Sequence, residues 1–362
     1  MLTVKKTPAL LLAAAALSST SVAGITPAAA ASSRAHAAVV PCGDVAELIR
    51  QIDAANSRGS GTVVLASGCE YQLLAPAVAA GPNGADGLPV ITGSVTLTAV
   101  GAATVTRASA TAFRIAEVAP QGTLTLNGVT LSNGSATSAP TVDGGGVLTQ
   151  GVLRVNAGRV TGNTASAAGG GIEVASGGAA YLSSSSVTQN TASDGGGVHV
   201  DTSGKLTVNG GVVGANTASA TGGGVASNGT TVLNSAFVRG NKTTAFEGGG
   251  VFTAIGPLTV NGGEISGNTA ASYGGGVANF GSTVRLLATS LVGNTAQVDG
   301  GGLYNQAGTS QLVAGRVTGN QAGGLGGGVF RAGGTVTLPA TPVSGNLPDN
   351  CAPVGAVAGC VG

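Results

Sequence analysis

The sequence contains no tryptophan, one methionine, two histidines and few charges: only 8% of its 362 residues are Asp, Glu, Lys or Arg. With 43% hydrophobic residues besides, the chain is not a disordered polyelectrolyte, which combines low hydrophobicity with high net charge. It does not read as a nucleic-acid binder, because phosphate contacts need clustered Lys and Arg. The four cysteines lack metal-site spacing, and with one histidine beyond residue 37 (His199) no metal and no cofactor are expected. The apolar run Ala9 to Leu17 is too short to cross a bilayer, which takes ~20 residues.

That run follows Lys5 and Lys6 and precedes small residues from Ala23 to Ala37, the layout of an export signal. Residues 1–37 are therefore expected to be a signal peptide and spacer, with cleavage between 23 and 37. Residues 38–362 are expected to form one secreted, extracellular domain. Removing Lys5, Lys6 and Arg34 leaves 12 basic and 14 acidic residues, with no basic patch for an anionic membrane. Four cysteines allow three pairings. Local pairs, Cys42 with Cys69 and Cys351 with Cys360, would staple each end of the domain and suit an oxidising compartment.

What the chain has in excess is glycine, 65 residues of it, and it is periodic. Gly-Gly-Gly followed by an aliphatic residue begins at Gly144, Gly169, Gly195, Gly222, Gly248, Gly274, Gly300 and Gly326, at intervals of 25 to 27 residues. A second mark, an aliphatic residue three positions before Asn, recurs in phase from Val160/Asn163 to Val343/Asn346. Repeats of this period mean a solenoid. Period-two runs such as Leu206-Thr207-Val208 and Leu258-Thr259-Val260 mark strands, and no helical spacing persists.

The expected fold is therefore all-β: a right-handed parallel β-helix, one triangular turn of three short strands per repeat, with coils about 4.8 Å apart. The asparagines should stack at one corner as an amide ladder, and the glycine triplets should pack closely, with positive φ, at another. Eight regular coils span 144–350. Segments 62–67, 91–98 and 123–131 read as strands of irregular coils within 61–143. A helix in an N-terminal cap, 42–60, is opened by Asp44 with Glu47 in capping-box spacing and would cover the exposed edge of the first coil. Pro339, Pro342, Pro348 and Pro353 should break strand pairing in a C-terminal cap, 339–362.

The two marks resemble the repeats of chlamydial-type polymorphic outer-membrane proteins. The whole pattern, including Ala46-Glu47-Leu48-Ile49 and Gly61-Thr62-Val63-Val64-Leu65, is similar to secreted actinobacterial β-helix-repeat proteins of the pectin-lyase-like superfamily. The resemblance covers about residues 42 to 350. It implies the fold strongly and function only weakly. Because the superfamily includes pectate lyases and polygalacturonases, it also raises polysaccharide lyase or glycoside hydrolase activity as an alternative to a non-catalytic role.

Lyases of this kind hold Ca²⁺ in a carboxylate cluster beside a base, and hydrolases need carboxylates sharing one glycosidic bond. The residue before each triplet forms an acidic column on alternate coils: Asp143, Asp194, Glu247 and Asp299. Members two coils apart, about 9.6 Å by strand spacing, are too far apart to share one Ca²⁺. Alternation that spaces like charges on a solvated corner is the bland explanation. The densest ionisable set is Glu173, Asp194, His199, Asp201 and Lys205, in which Glu173 and His199 occupy one repeat position on adjacent coils. An acid–imidazole pair can do general acid/base work. The competing reading is a solvated cross-strand pair, because no nucleophile or third acid completes the set.

Aromatic residues collect near the triplets of the later coils. Phe252, Tyr273, Phe280, Tyr304 and Phe330, with Glu247 and Asp299, form the candidate binding face. Strand alternation points Phe252, Tyr304 and Phe330 outward, where they could stack on a ligand or cover the glycine corner. The expectation is a monomeric, non-catalytic extracellular or cell-surface protein that presents a face to a polysaccharide or a cell-surface protein.

Overall fold

In the computed structural model, which describes residues 38–139 and 142–360, the chain is a parallel β-solenoid of about 12 turns. The candidate signal segment, residues 1–37, lies outside the described residues. Coil five shows the unit: strands Val251–Thr253, Leu258–Asn261 and Glu264–Ser266, then a two-residue strand Thr269–Ala270. Three strands per coil were expected, and there are four. The additional strand makes its own eight-stranded parallel ladder from Ser135–Ala136 to Gln321–Ala322. It is too short for periodicity to reveal it. Its inward residue is a small one in most coils, as at Ala136, Ala165 and Ala192, which pack as a second small core.

The aliphatic residue after each triplet, from Val147 to Val329, points into one continuous core with Val160, Val187, Val213 and their equivalents. Burying each such side chain is worth roughly 1.5–3 kcal/mol. This sum over stacked coils, rather than any one contact, holds the solenoid together. Each of the segments 62–67, 91–98 and 123–131 overlaps a strand, Ser60–Leu65, Ser94–Arg107 and Thr123–Ser132, although the first strand ends two residues earlier than expected and the second begins three residues later. The hairpin Val78–Gly81/Gly84–Asp86, the only antiparallel pair among the described strands, was not legible.

The two repeat marks are not at separate corners, as the sequence suggested, but pack on each other. The first glycine of every triplet has φ between 60° and 70°. The third lies against the ladder asparagine of its own coil: a Cβ on Gly224 would sit 3.0 Å from Asn241 Nδ2 and 2.6 Å from the carbonyl oxygen of Gly250. The ladder runs unbroken from Asn163 to Asn346. Each interior asparagine accepts from the backbone N–H and the side-chain amide of the previous one, as Asn268 Oδ1 does from Asn241 at 3.0 and 2.9 Å. Its own amide donates to Asn294 Oδ1 at 2.9 Å and to the Val238 carbonyl at 2.9 Å. Fully buried amides thereby satisfy their donors and acceptors, as burial demands.

Helix Val45–Ser57 covers the first coil, with Leu48, Ile52 and Ala55 in the same core as Val63, Leu65 and Tyr71. Asp44 accepts from the Glu47 N–H at 2.9 Å. The capping box is only half formed, because the Glu47 carboxylate turns to Arg50 and Gln51 instead. The disulfides are Cys42–Cys69 and Cys351–Cys360, the local pairs expected. At the far end the prolines do not abolish pairing: Val343 pairs Val317, and Cys351–Ala352 pairs Val329–Phe330. The carbonyls of Pro339 and Pro342 still accept from Ala314 and Val317. Proline removes only the donors, which would otherwise offer a further strand a template.

Candidate functional site

The residue after each inward aliphatic forms one in-register column across the coils: Glu117, Leu148, Glu173, His199, Ala226, Phe252, Ala278, Tyr304 and Phe330. Alternation turns this column away from the core, as expected. It is nevertheless largely covered, because the chain entering each triplet folds back over it. A Cβ on Gly248, Gly300 or Gly326 would lie 2.7 to 2.8 Å from the Cβ of Phe252, Tyr304 or Phe330. The left-handed first glycine is thus the lid on its own coil's outward residue.

The five candidate aromatics are brought into one cluster. Tyr304 is its hub, with ring centroids 4.5 Å from Tyr273, 5.6 Å from Phe330 and 5.8 Å from Phe280; Phe280 in turn lies 5.3 Å from Phe252. The Tyr304 and Phe330 planes differ by 2° and those of Tyr304 and Tyr273 by 24°. Hence Tyr304 is only 7% exposed, and the other four are half-buried. Stacked rings spend their faces on each other and turn edges outward, so a sugar ring finds few free faces here. Burial pushes the Tyr304 hydroxyl above its ordinary range, reinforced by Tyr273, Asp299 and Glu247. Burial likewise raises the Glu247 carboxyl.

The acidic column has a structural task that its alternation conceals. Asp143 accepts from the Ala168 N–H at 3.0 Å, Asp194 from Thr221 N–H and Oγ1 at 3.2 and 2.6 Å, and Asp299 from the Leu325 N–H at 2.7 Å. Each of these three aspartates therefore caps the equivalent backbone position on the next coil, where the residue is neutral, whereas the Glu247 carboxylate bonds its own backbone. These carboxylates are half-buried, so the corner is not merely a solvated one.

Glu173 and His199 are adjacent and in contact: His199 Nδ1 lies 3.0 and 2.9 Å from the two Glu173 oxygens, so a protonated Nδ1 donates to the carboxylate. The pair is buried rather than solvated, with side chains 14% and 7% exposed. Burial pushes Glu173 up against the pull of His199. For His199 burial works downward, but Glu173, Asp194 and Asp201 outweigh it and hold the imidazole above its usual range. The two side chains thus form a buried, directly bonded acid–imidazole pair. Asp194 and Asp201 act on it only at a distance: Asp194 is engaged with Thr221, and Asp201 accepts from Thr202 N–H in its own turn.

Two features escaped the sequence reading. One is a set of exposed apolar residues on the later coils: Phe246 (53% exposed), Val298 (36%) and Leu325 (51%) in the loops entering the triplets, and Leu347 (62%) beyond the last of them. Backbone bonds stack these loops, Ser272 N–H to Phe246, Val298 N–H to Ser272 and Gly324 N–H to Val298. The matching loops of earlier coils carry Ala167, Ala168, Ser193, Asp194, Ala220 and Thr221. The other is a buried set, Asp86, Arg114 and Glu117, in the irregular coils. Asp86 is distant in sequence from Arg114 and Glu117, and all three precede the first triplet. No group of three or more metal-ligating side chains converges among the described residues.

The fold and this geometry define a disulfide-stapled parallel β-solenoid repeat protein. No family model, curated protein or solved structure matches the chain.

Proposed function

We propose that this is a non-catalytic secreted or cell-surface β-helix protein whose later coils hold a protein partner. The observation that carries the proposal is the set of exposed apolar residues Phe246, Val298, Leu325 and Leu347 on the later coils, where Phe246 and Val298 directly precede Glu247 and Asp299 and the loops lead into the coils that carry the ring cluster. Contiguous exposed apolar surface rimmed by polar groups is characteristic of interaction sites, and aromatic residues are enriched at their centres. Between the two partner classes expected, a protein fits better than a polysaccharide, since the ring faces a sugar would use are occupied. Two disulfides and the export-type segment Lys5 to Ala37 support a place outside the cytoplasm. No helix among the described residues is long and apolar enough to cross a membrane.

The test is binding of the labelled protein to surface-exposed material of the producing cells. Wild type is compared with Phe246→Ser/Leu325→Ser/Leu347→Ser, chosen at exposed positions to spare stability. Binding should fall at least about tenfold in the variant and vanish when the cells are treated with protease. Loss on glycosidase treatment alone would make the ligand a glycan. Undiminished binding by a folded variant would remove this face from the function.

The buried Glu173–His199 pair favours a second reading, a polysaccharide lyase or glycoside hydrolase, because it is a held acid–imidazole dyad. Assays for reducing ends and unsaturated products on a polysaccharide panel, with and without Ca²⁺, test it. Turnover that His199→Gln abolishes would establish this reading over the first.

A further inference from the structure

The irregular coils bury more charge than they can neutralise. Asp86, Arg114 and Glu117 are at most 3% exposed. Asp86 Oδ1 lies 3.2 Å from Arg114 Nε, and Glu117 Oε2 lies 3.7 Å from Arg114 Nη1. Neither contact is aligned as a hydrogen bond, and both Asp86 oxygens, Glu117 Oε2, and Arg114 Nε and Nη1 have no hydrogen-bond partner. One guanidinium can balance one carboxylate. With both ionised, a net negative charge would be sealed away from water, at a cost of several kcal/mol.

The seal is the hairpin Val78–Gly81/Gly84–Asp86. Its turn residue Asn83 donates from Nδ2 to Glu117 Oε1 at 2.7 Å and accepts from Arg114 Nη2 at its carbonyl. Gly81 lies over Asp86, since a Cβ there would be 3.8 Å from Oδ2. The base is fixed by backbone bonds, Gly87 N–H to Arg114 and Arg114 N–H to Ala85. Only the tip can lift without disturbing the coil. Beside it lies a cavity of about 330 Å³ lined by hairpin residues Ala79, Ala80 and Gly84 and by Thr111, Ala112 and Ser138.

We propose that the hairpin is a proton latch: it closes over Asp86, Arg114 and Glu117 only while the Asp86 carboxyl keeps its proton, and its tip lifts when Asp86 ionises. Among the described residues, the charged groups facing Asp86 are Arg114 and Glu117. Burial, opposed by Arg114 and reinforced by Glu117, pushes the Asp86 carboxyl from 3.8 to about 8. The sign follows from that. A group with a raised pKa in the closed state favours closure fully below its open value, and loses that contribution as pH rises from about 4 to about 8.

Hydrogen exchange of the Val78–Asp86 amides in the full chain, corrected for intrinsic rates, tests the latch between pH 5 and pH 9. Opening should increase by up to about tenfold per pH unit within that window. Asp86→Asn, which removes the titrating proton at constant size, should flatten the dependence, and Glu117→Gln should do the same. Protection independent of pH in wild type, or an unchanged slope in a folded Asp86→Asn variant, would overturn the proposal. Should neither variant fold, wild type labelled with ¹³C at aspartate side-chain carboxyls decides the matter. One aspartate titrating near pH 8 supports the latch, and every aspartate fully ionised at pH 6 refutes it.

Discussion

The Cβ that Gly250 lacks would lie 3.0 Å from Cγ of Asn268. The two marks of the repeat are thus a single packing unit: a bare backbone at one position and a flat, fully bonded amide against it. Neither residue can change alone. Alanine at 250 would also come within 2.6 Å of the Gly276 carbonyl oxygen, which is backbone and cannot step aside.

Gly250→Ala should therefore destabilise by about 1–3 kcal/mol, the usual cost of overpacking. Gly267→Ala is the control, since nothing lies within 4 Å of a Cβ there and its φ of +58° is the only obstacle. Thermal or chemical denaturation should rank Gly250→Ala below Gly267→Ala. A double-mutant cycle with Asn268→Ala should recover part of the loss.

The ladder has an end, and the end should be weaker. Asn268→Ala or Asn294→Ala leaves buried partners unpaired on both sides, at about 1–3 kcal/mol. Asn163 is the first rung. Its Oδ1 receives only the Gly134 N–H at 2.8 Å, with no side-chain amide beyond. Asn163→Ala should lower the melting temperature less than either interior substitution. Equal losses would mean that the amide-to-amide bonds add nothing to the backbone ones.

Stability should fall as pH rises, through the Glu173–His199 pair. Both groups are raised in the folded chain. His199 contributes stability that is fully present below 6.5 and is lost above it, and Glu173 does the same from 4.5 upward. A Glu173→Gln/His199→Gln variant should show a shallower decline in melting temperature between pH 5 and pH 9. A parallel decline would assign the pH dependence to other groups, Asp86 among them.

Tyr304→Ala should be the most damaging of the aromatic substitutions, at about 3–5 kcal/mol, because it removes a nearly buried ring with three ring neighbours. Phe330→Ala, at the edge of the cluster, should cost less. Denaturation midpoints of the two variants check the order.

The solenoid was legible because its evidence repeats. Eight copies of a triplet and an asparagine, 25 to 27 residues apart, leave little else possible. The corner between the second and third strands was not. It is one left-handed residue in most coils, Ala157, Ser184, Ser235, Ala288 or Ala314, and a left-handed glycine pair in two others, Gly210-Gly211 and Gly262-Gly263, so no one residue type announces it. The candidate site divides in the same way. Glu173 and His199 could be paired by counting, and the five aromatics could be placed on one face. Their mutual stacking could not be read, since it depends on how far the loop before each triplet folds back. Asp86, Arg114 and Glu117 meet through a hairpin that interrupts the repeat, where counting has no purchase.

Because the carboxylates of Asp143, Asp194 and Asp299 each cap a backbone N–H one coil ahead, the solenoid has a parity that its 26-residue spacing hides. Excising the single coil between Asp194 and Glu247 would set two acids about 4.8 Å apart, facing each other where a neutral neighbour is required. Excising two coils would keep acidic and neutral positions alternating. Length in this molecule is quantised in pairs of coils, and its smallest interchangeable segment is about 52 residues long, twice the strand-to-strand repeat.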